Sequence, residues 1–278
     1  MLVWIDGRLD DASTARVSPF DHGILVGDGV FETLRVYGGV PFAWSRHLAR
    51  LEASARGLGL AVPPPDALRT AAEAVLRGNE LEEARLRITI TGGPAPLGSE
   101  RGDSPPTVIV AATPFRAWAP TVDTAVVPWP RNERGAVAGL KTISYAENVV
   151  ALAHARDHGA GEAIFANTRG ELCEATGSNV FVVSGGVVRT PPLSSGCLPG
   201  VTRALLLELC AEEGVPAEEA VLPVAAVAEA DEAFLTSTTR EVHPITTVDG
   251  AALPAAPGPV STRLAGLFAD LVARDTDP

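Results

Sequence analysis

Hydrophobic and polar residues alternate along the first forty positions in short runs broken by tight turns. Leu2-Val3-Trp4-Ile5 runs into Asp6-Gly7, and a run at 33–37 meets Gly38-Gly39 before the apolar stretch 40–44. Such dipeptides supply the positive φ that two-residue turns require, so both stretches predict β-hairpins. The period then changes. Leu48, Leu51, Ala55 and Leu58 recur at helical spacing behind Ser45, a residue able to cap the helix. Leu68, Ala72 and Val75 form a second helical stripe after three prolines, with Asp66 near its start. Strand-like runs follow at 85–91, 107–112 and 124–127. In the first, Arg85, Arg87, Thr89 and Thr91 share one face, and Leu86, Ile88 and Ile90 share the other. A row of cations and hydroxyls either lines a polar pocket or marks an edge strand with a solvated face.

The segment 115–122, with Trp118, Ala119 and Pro120, keeps neither period and reads as a linker. Beyond it the pattern predicts a helix around 146–157, a strand at 162–166 and a hairpin through Gly185-Gly186. An apolar helix at 202–213 and a final amphipathic helix carrying Leu264, Leu267, Phe268 and Leu271 complete the chain. Antiparallel hairpins mixed with helices predict an α+β fold rather than a doubly wound sheet. A length of 278 residues accommodates two domains.

Composition narrows the function. A net charge of −12 and a pI near 4.9 argue against nucleic acid or an anionic membrane as partner. No apolar run is long enough to span a bilayer, and the N-terminus reads as strand and turn, so the expected location is cytoplasmic. Cys173, Cys197 and Cys210 lack metal-ligand spacing, and no metal is expected. Lysine usage is the informative departure: of 22 Lys+Arg residues only Lys141 is lysine. Arginine replaces lysine wherever a positive charge suffices, but a guanidinium forms no Schiff base and does not deprotonate. Lys141 is therefore a candidate for covalent carbonyl binding. The alternative is a chance survivor of arginine bias.

Two further features bear on that chemistry. Leu198-Pro199-Gly200-Val201-Thr202-Arg203 opens into an apolar helix, and a helix start with glycine and a hydroxyl residue offers an anion cradle. Glu174 precedes Ala175-Thr176-Gly177-Ser178-Asn179 and a buried strand, a position that suits a turn residue or a functional carboxylate. An amine for an aldehyde, a cradle for a phosphate and a carboxylate for a ring nitrogen are the three partners of pyridoxal 5′-phosphate. Other constellations are weaker. Gly27-Asp28-Gly29 lacks the third glycine of a dinucleotide fingerprint, and Ala155 stands where a helical His154/His158 zinc motif needs glutamate. Cys197, His22 and His47 read as packing or structural residues.

At these residues the chain resembles the fold-type IV (class IV) pyridoxal-phosphate aminotransferases and lyases. The likeness is carried by Gly27-Asp28-Gly29-Val30-Phe31-Glu32-Thr33, Lys141-Thr142-Ile143-Ser144-Tyr145-Ala146-Glu147-Asn148, Glu174-Ala175-Thr176-Gly177-Ser178-Asn179 and Leu198-Pro199-Gly200-Val201-Thr202-Arg203. It implies two domains, 1–117 and 124–278, joined by a linker at 118–123. The larger C-terminal domain carries the lysine, and the active site lies between the domains. Lys141 would bind the cofactor and shuttle the substrate proton. Glu174 would pair with the pyridine nitrogen, while Arg50, Val201, Thr202 and Thr238 would hold the phosphate. Thr239 would face the substrate, Tyr145 the phenolic oxygen. A homodimer is implied as well.

Within the family the residues point in two directions. Val26 stands where branched-chain enzymes carry a tyrosine just before Gly-Asp-Gly. Pro96 and Gly98 occupy the positions of the Arg-x-His carboxylate trap of D-amino acid transaminases, which leaves Arg85, Arg87 and Arg101 as candidate clamps, Arg87 foremost. The expectation is a transaminase of D-amino acids, with (R)-amines as a further donor class and a 2-oxo acid as acceptor. The alternative is a 4-amino-4-deoxychorismate lyase, which the segment from Tyr145 to Asn148 resembles. A non-catalytic pyridoxal-phosphate carrier is the reading from another class, and Arg85, Arg87 and Thr239, set to line a second cavity, argue against it.

Overall fold

The computed structural model describes residues 1–278. The chain forms two compact units: Met1–Arg116 with Leu140–Tyr145 and Thr276–Pro278, and Ala117–Gly139 with Ala146–Asp275. The passage from one to the other falls near the expected linker, but Val122 and Asp123 already belong to a strand. The Lys141 segment groups with the first unit rather than with the C-terminal part of the chain.

The first unit contains β1 (Leu2–Ile5), β2 (Arg8–Asp11), α1 (His22–Val26), β3 (Gly29–Tyr37), β4 (Val40–Pro41), α2 (Trp44–Leu58), α3 (Pro65–Gly78), β5 (Ala84–Thr91) and β6 (Val108–Pro114). Its sheet is antiparallel, in the order β2-β1-β6-β5-β3-β4. Both predicted hairpin turns have positive φ at their two central residues, 46° and 92° at Asp6-Gly7 and 54° and 80° at Gly38-Gly39. Along β3 the odd and even positions part company. Val30, Leu34 and Val36 pack with Leu51, Leu68 and Val75 of the helices, while Phe31, Thr33 and Arg35 pair with Thr89, Arg87 and Arg85. The polar-faced strand β5 lies between β6 and β3, so its cations do not mark a sheet edge.

Ser45 does not cap α2. The helix begins after Ala43, held at φ 53°, and Ser45 instead gives its amide and hydroxyl to the Asp277 carboxylate at 2.8 and 2.6 Å. A partner 232 positions away overrides the local cap. Prolines end the approach to α3 as expected, with Pro65 in its first turn.

The second unit contains β7 (Val122–Val126), α4 (Ala146–Asp157), β8 (Glu162–Ala166), β9 (Leu172–Ala175), β10 (Asn179–Ser184), β11 (Val187–Thr190), α5 (Val201–Glu212), β12 (Ala217–Glu219), β13 (Glu232–Ser237), β14 (Glu241–Val248), β15 (Ala251–Ala252) and α6 (Pro259–Arg274). Its mixed sheet runs β12-β11-β10-β13-β14-β7-β8-β9, with β15 on β14. Parallel neighbours need a crossover, which α4 supplies from β7 to β8 and α5 from β11 to β12. Both faces of β8 are buried: Ile164 joins Leu172, Val180 and Leu235, while Ala163 and Phe165 pack with Ala151 and Ala155 of α4. That explains why this strand reads as an unbroken apolar run rather than an alternation.

Candidate functional site

In the first unit, residues 141–143 lie beside the start of β3. The Phe31 amide donates to the Lys141 carbonyl at 3.0 Å, the Ile143 amide to the Gly29 carbonyl at 2.9 Å, and Thr142 pairs with Val30. The Lys141 amide in turn donates to Ser54 Oγ of α2 at 3.1 Å. These bonds explain why the segment belongs to this unit, and they tie Lys141 to both the edge of β3 and α2. Its Nζ lies 4.4 Å from the Phe31 ring centroid. The Arg87 guanidinium lies 3.7 Å from the same centroid, and the Tyr145 ring packs against Phe31 edge-on at 5.2 Å. Arg87 Nε also donates to Thr89 Oγ1 at 3.1 Å. One aromatic ring thus gathers the Lys141 amine, a candidate clamp and Tyr145. Val26, the half-exposed last residue of α1, adjoins Gly27, whose carbonyl accepts from Ser144 Oγ at 2.9 Å.

The helix-packed face of β3 holds a residue to which the sequence reading gave no role. Glu32 occupies the core row between Val30 and Leu34 and is fully buried. Arg50 Nε donates to its Oε1 at 2.7 Å and Arg50 Nη2 to its Oε2 at 2.8 Å, a fork that fixes the guanidinium plane. His47 Nδ1 lies 2.7 Å from Oε2. Burial pushes the Glu32 carboxyl up, yet the opposing charge of Arg50, with the contribution of His47, leaves it well below the ordinary glutamate range. Burial also lowers His47, more than Glu32 raises it, so His47 is a neutral donor and Arg50 is the charge that keeps Glu32 ionised. The signal for Glu32 was present: a carboxylate at a core register position of an apolar strand demands a partner.

Arg101 is committed elsewhere. It pairs with Asp28 through Nε and Nη2 at 2.6 and 2.5 Å, which lowers the Asp28 carboxyl and removes this arginine from the set of open clamps.

In the second unit, Glu174 lies within β9 rather than in the turn after it. Its Oε2 accepts the Leu198 amide at 2.9 Å, and Arg131 Nε stands 3.4 Å from its Oε1. Arg131 stacks on Phe165 at 4.2 Å and donates to Glu147 and to Asn148 Oδ1, the latter at 3.0 Å. No periodicity singles out Arg131, which sits in irregular chain, so sequence reading passed over it. The helix opens where the motif puts it. Gly200 precedes α5, and Val201 and Thr202 are buried in its first turn. A Cβ at Gly200 would fall 2.0 Å from Asn179 Oδ1, and Asn179 Nδ2 donates to the Leu198 carbonyl at 2.9 Å. Leu198 therefore ties the carboxylate to the helix start. Thr238 and Thr239 occupy the turn between β13 and β14.

These residues fit pyridoxal phosphate. Glu174 faces Arg131, and its side chain stays 14% exposed, so a ring nitrogen can reach it. Beside the α5 start, Ser178 Oγ and Thr236 Oγ1 are buried without a partner, and Thr236 pairs in register with Asn179. Unsatisfied buried hydroxyls next to a helix N-terminus suit a phosphate. No cluster of three metal-ligating side chains is present, and the rings of His154 on α4 and His158 just past its end lie 4.2 Å apart, tilted by 34°. Cys197 and Cys173 are buried, and burial pushes the Cys197 thiol up to about 11, which suits packing rather than reactivity.

Comparison with known proteins accords with this arrangement. The family described as Amino-transferase class IV matches residues 29–248. A Methanocaldococcus jannaschii protein described as a candidate branched-chain-amino-acid aminotransferase is 33% identical over 268 residues, covering 90% of this chain and 88% of its own. The D-alanine aminotransferase of Bacillus licheniformis is 31% identical over 280 residues, 99% of both chains. Among solved structures, a T.th. branched-chain amino acid aminotransferase with pyridoxamine 5′-phosphate superposes with a TM-score of 0.92 at 27% identity, covering 98% and 93%. A Legionella pneumophila protein described as a candidate 4-amino-4-deoxychorismate lyase gives 0.88 at 26%, covering 94% and 97%. Family match, end-to-end relatives and fold agree, and the chain belongs to the class IV aminotransferases, enzymes that work with pyridoxal phosphate.

Proposed function

We propose that this protein is a transaminase that takes the amino group of D-amino acids, with (R)-amines as a further donor class, and delivers it to a 2-oxo acid. The observation that carries an amino acid substrate is the placement of Arg87 and Lys141 against one Phe31 ring. A carboxylate gripped by Arg87 brings the adjoining Cα towards the amine that must deprotonate it. The D preference rests on Val26 in place of the branched-chain tyrosine and on the end-to-end likeness to a D-alanine aminotransferase. Branched-chain donors are the second reading, favoured by the Methanocaldococcus and T.th. relatives. The lyase is the third, favoured by the Legionella neighbour.

When bound, pyridoxal phosphate supplies an aldehyde and an electron-withdrawing ring that acidifies the substrate Cα–H. The chain does the rest. Lys141 Nζ would hold the aldehyde carbon at rest and, freed when the substrate amine takes its place there, would accept the Cα proton and return it. Glu174 holds the ring nitrogen protonated, and Arg131 holds Glu174. Arg50, oriented by Glu32, binds the phosphate with Val201, Thr202 and Thr238, while Tyr145 meets the phenolic oxygen and Thr239 faces the substrate. A homodimer is proposed on the family likeness and on Phe20, Ile24 and Leu97, apolar and exposed on the first unit. Light scattering at the mass of one chain would contradict it. No helix is long and apolar enough to cross a membrane.

The substrate test is a half-reaction. Holoenzyme is mixed with D-alanine, L-leucine or aminodeoxychorismate, and the cofactor spectrum is followed. Bleaching to the pyridoxamine form with D-alanine supports the proposal. Bleaching with L-leucine alone replaces it by the branched-chain reading, and 4-aminobenzoate released from the third substrate without bleaching replaces it by the lyase.

A further inference from the structure

A buried ionic cluster in the second unit has no part in the roles assigned above. Glu162, the first residue of β8, and Arg240, at the end of the β13–β14 turn, have side chains 4% and 6% exposed, with Nη2 donating to Oε2 at 3.0 Å. Burying two charges costs more than filling the same space with apolar groups, so such a pair is more readily explained by geometry than by stability. Three groups fix the Arg240 guanidinium: Glu162, the Trp118 ring at 3.9 Å from its carbon, and His243 Nδ1 at 2.7 Å from Nη1. A guanidinium only donates, so His243 Nδ1 is the acceptor and its Nε2–H donates to the Ala119 carbonyl at 2.8 Å. Burial, followed by the Arg240 charge, lowers His243 below the usual histidine range, as this neutral form requires.

Glu162 holds more than Arg240. It accepts the Thr176 amide at 3.3 Å and the Thr176 hydroxyl. Thr176 stands two residues after Glu174, and Arg240 directly follows Thr238-Thr239. The turn itself is tight: the Arg240 amide reaches back to the Ser237 carbonyl at 3.1 Å, and Glu241 is forced to φ 55°.

From this we propose that Arg240 and Glu162 are positioning residues that set the distance between the ring-nitrogen carboxylate and the phosphate turn. The proposal rests on the reading of Thr238 as a phosphate contact. Each acts through the segment it anchors.

The test is equilibrium binding of pyridoxal phosphate, and of pyridoxal without its phosphate, to apoenzyme, with unfolding curves alongside. Arg240→Met should weaken pyridoxal phosphate about tenfold and pyridoxal less than about twofold. Glu162→Gln should act in the same direction, about threefold, and it carries the test if the first variant fails to fold. Thr238→Val, which deletes the proposed contact itself, should reproduce the selective loss. Wild-type binding in both cluster variants, or equal losses for both ligands, would overturn the proposal. If Thr238→Val alone binds normally, the phosphate reading fails and the proposal falls with it. If Thr238→Val shows the loss and the cluster variants do not, only the positioning role falls.

Discussion

Glu32 and Glu174, one carboxylate in each unit with a part in the proposed function, are built in opposite ways. Glu32 has no exposure, and both its oxygens are taken by Arg50 and His47. Glu174 keeps its side chain 14% exposed, with a backbone donor and an arginine beside it. A closed carboxylate orients a neighbour, here Arg50. A carboxylate that keeps some exposure can meet a ligand. Charge and residue type are the same, and the degree of enclosure separates structure from chemistry.

Exchanging each side chain breaks that contrast in a different place. As the largest effect, Glu174→Gln should leave the denaturant midpoint nearly unchanged while slowing turnover about a thousandfold, the middle of the range for proton-transfer effects. A variant with full rate and bound cofactor would remove Glu174 from the ring-nitrogen role. Arg50→Met should do the reverse, costing about 3–5 kcal/mol of stability because it strands a buried anion. A loss under about 1 kcal/mol would show that Glu32 finds another partner.

The acid limb sharpens the comparison. Glu32 titrates below its ordinary value in the fold, so its stabilisation is complete above about pH 4.3 and is lost as pH falls through the folded value. His47, also lowered, begins to cost stability once pH drops below about 6.5, where only the unfolded chain takes the proton. Wild-type stability should therefore decline from about pH 6.5 downwards, and the gap to Arg50→Met should begin to narrow above about pH 4.3, because burial without Arg50 raises Glu32 in the variant and it protonates there first. A gap constant from about pH 3 to 8 would contradict the ionised pair. The smallest expected effect is at the clamp: Arg87→Ala should raise KM about tenfold for amino acids and little for simple amines, a difference of about 1.4 kcal/mol. Equal changes would show that Arg87 does not hold the carboxylate.

What the sequence made legible was local. Hairpin turns at Asp6-Gly7 and Gly185-Gly186, the helical stripes and the start of α5 depend on neighbours a few residues apart, and they stand where the pattern puts them. The solitary lysine was legible through chemistry, since no other side chain supplies that amine. Long-range pairings were not. Asp277 takes Ser45 from its cap, residues 141–143 pair with β3 instead of the chain that follows them, and β5 acquires neighbours on both edges. Arg131 and Arg240 carry no local pattern either: their partners come from β8, β9 and α4, which only the folded sheet brings together.

The central claim is that Lys141 carries the cofactor, and borohydride reduction tests it most directly. Holoenzyme reduced and digested should give one peptide bearing a phosphopyridoxyl group on Lys141, with none in Lys141→Ala, in which only the chain's terminal amine remains. Label at the N-terminus, or a cofactor that reduction leaves unattached, would contradict the account.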